Sequence, residues 1–378
     1  MTKSVIPVIA LKPKEERRIL RGHLWVYRNE VAVTPELQDG DVVDVFAANR
    51  RFIGRGFYQE KGGIAVRILI HHQNDIDRSF FHNSLLRAES LRKKMFPGSS
   101  VYRWVYGESD GLPGLIIDRY DSVAVVQSEC AFYTRHCDAL TAELLDSDGV
   151  ESVLLRLPGR REWVGTEVAE TALHFEDVQA KLNFGDAQKT GLFLDQRCNW
   201  QRIRTYAQGA SVLDGYCYHG MWSIHAALAG AKSVVGVDTS PAAITHAREN
   251  CVSNGLENCF FEQEDLEVKL AKQNRFDVIV LDPPAFAKHR TQTRKALARY
   301  ESINRLAMNA LHADGILISC SCSHFVTMPD FLESLKRAAA KSGRQAQLLE
   351  VHGAAPDHPV LLAMPETAYL KCAVLRIL

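Results

Sequence analysis

Residues 211–241 read SVLDGYCYHGMWSIHAALAGAKSVVGVDTSP, and this stretch decides the predicted fold. It contains alternating strands and helices, predicted at Ser211–Leu213, Gly220–Leu228, Ser233–Val237 and from Pro241 onward. Ser240 and Pro241 are typical of a helix start, because serine caps the first turn and proline is tolerated within it. Alternation of this kind predicts a parallel sheet with helices on both faces.

The alternation continues towards the C-terminus. Further strands are predicted at Phe260–Gln263, Phe276–Leu281, Gly315–Cys322, Gln345–Val351 and Ala368–Ile377. Together with the first two strands they predict an α/β domain with a Rossmann-like sheet over residues 186–378.

The preceding residues have a different pattern. Residues 1–72 predict short strands in a small β-barrel, at Asp41–Phe46, Phe52–Tyr58 and Ile64–Ile70, with a short helix at Lys14–Arg21. Residues 73–185 combine predicted helices at Ser79–Met95 and Phe132–Leu145 with short strands. We therefore predict three domains, with boundaries near residues 72 and 185.

Composition limits the class of protein. The 378 residues are 46% hydrophobic and carry no formal net charge. No apolar run approaches the roughly 20 residues that span a bilayer, so we expect a cytoplasmic protein with no membrane partner. The nine cysteines form no CxxC pair, and no metal site is predicted. Zero net charge disfavours general attraction to nucleic acid but leaves room for local basic surfaces.

Four successive predicted strands end at or just before an acid, and these acids are Asp214, Asp238, Asp265 and Asp282. Ligands of open α/β sheets bind at the carboxyl ends of the strands. An acid after the second strand can accept both ribose hydroxyls, and one near the third can accept the adenine amino group. The alternative is that each acid caps the following helix. We favour a nucleoside site because the acids recur in this order.

The loop after the first strand identifies the kind of nucleotide. Residues 214–222, DGYCYHGMW, lack the G-x-G-x-x-G spacing that admits a pyrophosphate, and no Walker motif occurs in the chain. A phosphate-free nucleoside such as S-adenosylmethionine is the better fit. The predicted contacts in this region include Tyr218, Gly220 and Thr239.

The fourth strand leads into Asp282-Pro283-Pro284-Ala285-Phe286. Two prolines stiffen this loop and fix the acid, while Phe286 can pack on a flat base. A basic segment follows at residues 288–299, in which Lys288 and Arg290 are candidates for phosphate contacts. Pro283, Pro284, Phe286, Lys288 and Arg290 are therefore predicted to bind substrate. The alternatives are a plain turn and a solvated helix face.

The fifth strand supplies a candidate nucleophile. Residues 315–323 read GILISCSCS, with Cys322 at the carboxyl end of the strand. A thiolate can add to carbon-6 of a pyrimidine and thereby activate carbon-5 for methylation. Most free cysteines are instead small buried hydrophobes, and the residues alone leave both interpretations open. Cys320, two residues earlier, is expected in the core.

Several longer stretches carry a family resemblance. They are RGHLWV (21–26), GESDGLPGL (107–115), KTGLFLDQR (189–197), VDTS (237–240), DPPAF (282–286), SCS (321–323), DHPV (357–360), PE (365–366) and YLK (369–371). Over nearly its whole length the chain resembles the bacterial 23S ribosomal RNA cytosine-5 methyltransferase I family. The resemblance implies an N-terminal PUA domain, a central α+β domain and a Rossmann-like methyltransferase domain.

The same resemblance implies roles for individual residues. It makes Cys322 the nucleophile, with Asp282 at the target base. It assigns Asp238 to the ribose and Asp265 to the adenine of S-adenosylmethionine. It places residues 189–197 against the cofactor, with contacts from Gln196 and Arg197.

One loop departs from the family pattern, which usually ends Tyr-Thr-Gly-Gly-Phe where this chain has Tyr218-His-Gly-Met-Trp222. Met221 is disfavoured if its backbone must adopt positive φ. The main prediction is 5-methylcytosine formation in 23S rRNA. The alternatives are methylation of a guanine or adenine nitrogen, and a non-catalytic RNA-binding assembly factor. The partners considered are RNA and a second copy of the chain in a homodimer.

Overall fold

The computed structural model describes residues 6–272, 275–287 and 289–378. The chain forms two compact units. The first comprises the described part of Met1–Thr171 with Ala187–Gly191 and Pro356–Thr367, and the second comprises Ala172–Asp186, Leu192–Ala355 and Ala368–Leu378. None of the helices within the described ranges combines the length and apolar character needed to cross a bilayer.

The first unit begins with a six-stranded sheet. Its elements are β1 (Val8–Leu11), α1 (Glu16–Ile19), β2 (Trp25–Tyr27), β3 (Val31–Val33), β4 (Val42–Phe46), β5 (Phe52–Tyr58) and β6 (Ile64–Ile70). The strand order is β2-β6-β5-β4-β1-β3, with β1 and β4 parallel. Alternate apolar residues such as Val43, Val45, Val66 and Ile68 form its core. A Cβ at Gly56 would lie 2.0 Å from the Arg67 carbonyl oxygen, so glycine permits the close approach of β5 and β6.

A second sheet completes the first unit. Its elements are α2 (Arg78–Met95), β7 (Val101–Tyr106), β8 (Leu115–Tyr120), β9 (Val123–Ser128), α3 (Ala131–Arg135), α4 (Cys137–Leu145), β10 (Ser152–Leu157) and β11 (Arg160–Gly165). The strand order is β11-β10-β9-β8-β7, and only the β9–β10 pair is parallel within this sheet. Asp77 caps α2 by accepting from the backbone N–H of Phe80.

The second unit begins within the first strand of a β-hairpin and continues with the alternating elements. They are β12 (Glu170–Phe175), β13 (Val178–Asn183), α5 (Arg197–Arg202), α6 (Arg204–Ala207), β14 (Ser211–Gly215), α7 (Met221–Leu228), β15 (Ser233–Asp238), α8 (Pro241–Ser253), β16 (Cys259–Gln263), α9 (Leu266–Ala271), β17 (Phe276–Leu281), α10 (Thr293–Ala310), β18 (Leu311–Ser321), α11 (Met328–Ser342), β19 (Ala346–His352) and β20 (Lys371–Ile377).

The sheet of this unit has seven strands in the order β16-β15-β14-β17-β18-β20-β19. Strands β14 to β18 are parallel, and their order reverses between β14 and β17. Such a reversal leaves a crevice at the carboxyl ends of the two strands, where ligands bind. Helices α10 and α11 pack on the sheet through Tyr300, Ala307, Phe331 and Leu335. The predicted Rossmann-like α/β fold is confirmed.

The structure corrects several predicted elements. The predicted helix Phe132–Leu145 is two helices, because the backbone leaves helical geometry at His136, with φ −109° and ψ 12°. The sheet is not wholly parallel, since β20 lies between β18 and β19 and runs antiparallel to both. Strand β18 ends at Ser321, so Cys322 lies one residue beyond it. The predicted domain boundaries near residues 72 and 185 stay predictions.

Candidate active site

Asp214, near the end of β14, is fully buried. One carboxylate oxygen, Oδ2, accepts from the backbone N–H of Ser223 at 3.1 Å and from its hydroxyl at 2.7 Å. The other, Oδ1, is buried without a hydrogen-bond partner among the described residues. Burial, with a smaller contribution from the nearby Asp282, raises the pKa of Asp214 to about 7. Asp214 therefore connects α7 to β14, and its Oδ1 can accept a hydrogen bond from a donor outside the described residues.

The β14–α7 loop, residues 216–220, makes a sharp turn above this acid. Tyr216, Tyr218 and Gly220 all have positive φ, at 64°, 47° and 78°. Met221 is absent from this group and begins the helix, so the predicted backbone penalty at Met221 was wrong. The strained positions are two tyrosines, and such strain persists only where surrounding contacts impose it.

The neighbouring His219 is buried in this loop. Its ring stacks on Tyr218 with 3.8 Å between centroids and lies 5.0 Å from the ring of His246. Burial and the neighbouring His246 lower its pKa to about 3. His219 is therefore a neutral ring that packs against Tyr218 and His246.

Asp238, at the end of β15, receives two backbone N–H groups. Oδ2 accepts from Tyr218 at 3.1 Å and Oδ1 accepts from Ser240 at 2.9 Å. The carboxylate therefore joins the β14–α7 loop to the start of α8, which Ser240 caps as predicted. Each oxygen keeps a second acceptor site for another donor.

Asp265 and Thr239 lie at the rim of the crevice and are exposed. Asp265 caps α9 by accepting from the N–H groups of Glu267 and Val268 at 2.8 and 3.3 Å. The capping alternative considered for the acids thus applies here. A carboxylate in a cap can still accept from a ligand, so its predicted role at the adenine stays a prediction.

Asp282 follows β17, is partly buried, and is held by two side chains. Gln196 Nε2 donates to Oδ1 at 2.9 Å, and Trp222 Nε1 donates to Oδ2 at 3.1 Å. Asn199 in turn donates to Gln196 Oε1 at 2.7 Å, which fixes the orientation of that amide. Burial raises the pKa of Asp282 to about 6, although the Trp222 hydrogen bond works in the opposite direction. The pKa of Asp282 therefore lies close to neutral pH, which suits a general acid or base.

Within residues 189–197, Gln196 and Arg197 were predicted to contact the cofactor, and the structure places these two residues differently. Gln196 touches Asp282, within the site. Arg197 is buried, donates through Nε to Glu176 at 2.9 Å, and lies over the Phe175 ring at 5.3 Å. Its described contacts therefore tie α5 to the β12–β13 hairpin.

Cys322 lies against the Asp-Pro-Pro loop. Its Sγ is 3.7 Å from the carbonyl oxygen of Pro283, and the residue is partly exposed, whereas Cys320 is fully buried. The expected difference between the two thiols is therefore present in the structure. The nucleophilic role of Cys322 stays a prediction.

Ser323, next to the cysteine, connects three elements. Its hydroxyl oxygen accepts from the backbone N–H groups of Phe286 and Ala287 at 3.0 and 3.2 Å, and lies 2.9 Å from the Tyr300 hydroxyl. Its carbonyl oxygen accepts from Lys371 Nζ at 2.6 Å. The segment around Cys322 and the Asp-Pro-Pro loop are therefore fixed to each other.

The residues predicted to bind substrate lie in the Asp-Pro-Pro loop and in the segment that follows it. Pro283 is buried, Pro284 is exposed, and the partly buried Phe286 packs on Tyr300 with 4.7 Å between centroids. The guanidinium of Arg299 lies over the Phe286 ring at 4.6 Å. Arg290 is exposed in a single turn of 3₁₀ helix before α10, and the predicted contact Lys288 lies outside the described residues.

The structure brings three of the four predicted acids close enough to interact. The negative charges of Asp282 and Asp238 both help to raise the pKa of Asp214. Sequence reasoning missed Trp222, Ser323 and Lys371 as parts of the site. All three stood inside stretches already singled out, but only the fold makes Lys371 a neighbour of Cys322.

Comparisons with known proteins identify the families that the chain matches. Residues 9–70 match the family model of a PUA-like domain, and residues 147–373 match that of an S-adenosylmethionine-dependent methyltransferase. The fold and the site thus define the class: an S-adenosylmethionine-dependent methyltransferase that carries a PUA-like domain.

Curated relatives show which family within this class the chain belongs to. The chain is 35% identical over 401 aligned residues to ribosomal RNA large subunit methyltransferase I of Shewanella denitrificans, and 34% identical over 400 to that of Shewanella amazonensis. Each alignment covers 98% of this chain and 99% of the relative. The chain belongs to the ribosomal RNA large subunit methyltransferase I family. A solved structure, the methyltransferase candidate SMU.776 complexed with SAH, shares the fold with a TM-score of 0.87 at 18% identity, over 99% of this chain and 100% of that one.

The described residues fit S-adenosylmethionine. Asp214 Oδ1 is a buried acceptor that has no hydrogen-bond partner among these residues, which suits a ligand donor such as an amino group. Asp238 retains acceptor capacity for hydroxyl groups. No G-x-G-x-x-G turn is present for a pyrophosphate, which agrees with a nucleoside that carries no phosphate.

Proposed function

We propose that this protein methylates carbon-5 of a cytosine in 23S ribosomal RNA through a covalent bond to Cys322. The observation that carries the proposal is the partly exposed Cys322 thiol, 3.7 Å from the Pro283 carbonyl oxygen and so beside the loop that bears Asp282. The names of the curated relatives support a large-subunit rRNA substrate.

The reaction needs a nucleophile because carbon-5 of cytosine does not attack a methyl group unaided. S-adenosylmethionine supplies an electrophilic methyl group on a sulfonium. Cys322 Sγ forms a bond to carbon-6, and the electron pair of the ring double bond moves to carbon-5. Carbon-5 takes the methyl group, while the electrons of the broken sulfur–methyl bond stay on the departing thioether. Loss of the carbon-5 proton to water and cleavage of the bond between carbon-6 and Sγ restore the double bond and the thiolate.

Asp282 stabilises the charge that develops on the base. Its pKa of about 6 leaves a protonated fraction at neutral pH, which can donate a hydrogen bond to ring N3. Gln196 and Trp222 hold both of its oxygens, so the acid is oriented before the base arrives. The cofactor side uses Asp238 at the ribose and Asp265 at the adenine amino group.

The RNA has two candidate contact surfaces, one in each compact unit. In the second unit the exposed Arg290, Arg294 and Lys295 lie just beyond the Asp-Pro-Pro loop and can contact phosphates. The PUA-like domain of residues 9–70 is the other surface. The target cytosine enters the site as an unpaired or flipped base. A cytoplasmic location and a homodimer remain part of the prediction.

The decisive experiment combines gene deletion with point variants. Mass-spectrometric mapping of 23S rRNA from deletion cells should show the loss of one 5-methylcytosine. Wild-type protein should restore it, Cys322→Ala should not, and the matched control Cys259→Ala, a partly exposed thiol on β16, should restore it. We expect Cys322→Ala to lower the methylation rate by at least about 1,000-fold, as removal of a covalent nucleophile does.

Two other results would redirect the assignment. Full activity of Cys322→Ala on a guanine or adenine would replace the covalent scheme with nitrogen methylation. Unchanged rRNA in deletion cells, with no calorimetric binding of S-adenosylmethionine, would indicate a non-catalytic RNA-binding protein.

A further inference from the structure

Lys371 carries a buried ammonium group beside the site. It is the first residue of β20 and pairs in register with Ser321, the last residue of β18. Only 4% of the residue is exposed. Its Nζ donates to the carbonyl oxygens of Ser323 and Tyr369, both at 2.6 Å. The side chain therefore fixes the backbone directly after Cys322.

The electrostatic surroundings of this ammonium are unusual. Within the part of the chain that the structure describes, no carboxylate forms an ion pair with Lys371, although a buried cation is costly without a counter-charge. Burial lowers its pKa to about 8, and the influence that opposes burial comes from Cys322. A negative charge on the Cys322 sulfur would supply the counter-charge that the ammonium lacks.

We propose that Lys371 is a positioning residue that holds Cys322 in its thiolate form and fixes the Ser323 carbonyl behind it. A neighbouring lysine favours the thiolate over the thiol, and the thiolate is the nucleophilic form. Ser323 in turn binds the backbone of Phe286 and Ala287, so the same lysine helps to hold the Asp-Pro-Pro loop against the sulfur. The catalytic meaning of this inference rests on the proposed covalent scheme, whereas the state of the thiol does not.

The test measures the thiol directly. Full-length protein is treated with iodoacetamide between pH 5.5 and 9.5, and the alkylation rate of the Cys322 peptide is followed by mass spectrometry. Lys371→Met removes the charge but keeps the length of the side chain, and Lys371→Arg keeps the charge. We expect Lys371→Met to lower the Cys322 rate at pH 7 by about tenfold and to move the midpoint of its pH dependence up by about one unit. Lys371→Arg should stay within about threefold of wild type, because it retains the positive charge.

The matched control is Lys336→Met, which removes an exposed lysine on α11 and should leave the Cys322 rate unchanged. An unchanged midpoint in folded Lys371→Met would overturn the inference. If that variant does not fold, wild-type protein provides the test, since Cys322 should react with a lower midpoint than the partly exposed Cys198. Equal midpoints for the two wild-type thiols would contradict it.

Methylation assays separate this inference from the proposed function. The rising limb of the pH–rate profile should move upward in Lys371→Met and remain in place in Lys371→Arg. If Cys322→Ala stays fully active, the covalent scheme fails, but the alkylation result still decides whether Lys371 controls the thiol.

Discussion

Two parts of the crevice are built in different ways. The β14–α7 loop is fixed by carboxylates that accept backbone N–H groups: Asp214 binds Ser223, and Asp238 binds Tyr218 and Ser240. The segments around Asp282 and Cys322 depend instead on single side chains. Gln196 and Trp222 hold the acid, Ser323 holds the Asp-Pro-Pro loop, and Lys371 holds the Ser323 carbonyl.

This difference predicts that substitutions in the two parts affect different properties, cofactor binding and stability in one and reactivity in the other. Asp214 and Asp238 hold the backbone that follows the strands, so substitution of either acid should change protein stability or cofactor affinity. Side chains that contact Asp282 or Ser323 can be replaced while the strands keep their register. Their loss should alter proton positions and reactivity more than folding.

The largest effect that we expect on protein stability concerns Asp214. Its pKa rises from 3.8 to about 7 on folding because burial penalises the charge. The folded state therefore binds more protons than the unfolded state between these values, and stability falls as pH rises through that window. We expect Asp214 to contribute a decline of about 3 kcal/mol between pH 4 and pH 7. Asp214→Asn should remove this decline, because an amide oxygen can still accept from Ser223. Denaturant unfolding from pH 4 to pH 8 measures it.

A control with the opposite sign is available on the same sheet. Although burial works to raise it, the hydrogen bonds from Ser211 hold the pKa of Asp277 below its ordinary value. Asp277 therefore contributes stability that is present at higher pH and lost as pH falls. If Asp214→Asn and Asp277→Asn gave the same pH dependence, the buried charge of Asp214 could not be the cause.

The next largest effect concerns cofactor affinity. Asp238→Ala removes the acceptor of two backbone N–H groups together with the acceptor proposed for the ribose. Hydrogen bonds to a charged group contribute about 1.5–3 kcal/mol each, so we expect the Kd for S-adenosylmethionine to rise about 100-fold. Isothermal titration calorimetry measures it, and the Cys322 alkylation rate should stay at the wild-type value.

Asp265→Ala provides the contrast, because Asp265 is exposed and caps α9. Its substitution should weaken binding by about tenfold or less, since one exposed hydrogen bond contributes about 1 kcal/mol. Equal losses in Asp238→Ala and Asp265→Ala would mean that the backbone contacts of Asp238 add nothing to binding.

Much of this architecture follows from local sequence. Strands such as Phe52–Tyr58, Ile64–Ile70 and Phe276–Leu281 were predicted with their observed bounds, because β-branched and aromatic residues there are bounded by turn residues. The helix cap at Ser240 was also predicted from neighbouring residues alone. The strands Arg160–Gly165 and Glu170–Phe175 were not predicted, since their many charged and polar residues lack a clear apolar alternation.

The site was predictable only where its residues share a motif. Asp282 and Cys322 each come directly after a strand, and parallel strands bring their carboxyl ends together, so the proximity of the two residues could be inferred. Lys371 reaches Ser323 because β20 inserts between β18 and β19, and that pairing connects residues far apart in sequence. Positive φ at Tyr216 and Tyr218 was also hidden, because tyrosine gives no local signal of a left-handed backbone.

The smallest expected effect concerns Trp222 and the proton on Asp282. Trp222→Phe removes the N–H that donates to Asp282 Oδ2 and that works to lower the pKa of this acid. The pKa of Asp282 should then rise above its present value of about 6, and the limb of the pH–rate profile that reports it should move upward by about one unit or less. Trp200→Phe, at a buried tryptophan with no described bond to Asp282, is the matched control and should leave that limb in place. A limb that stays fixed in Trp222→Phe would show that this indole does not set the acidity of Asp282.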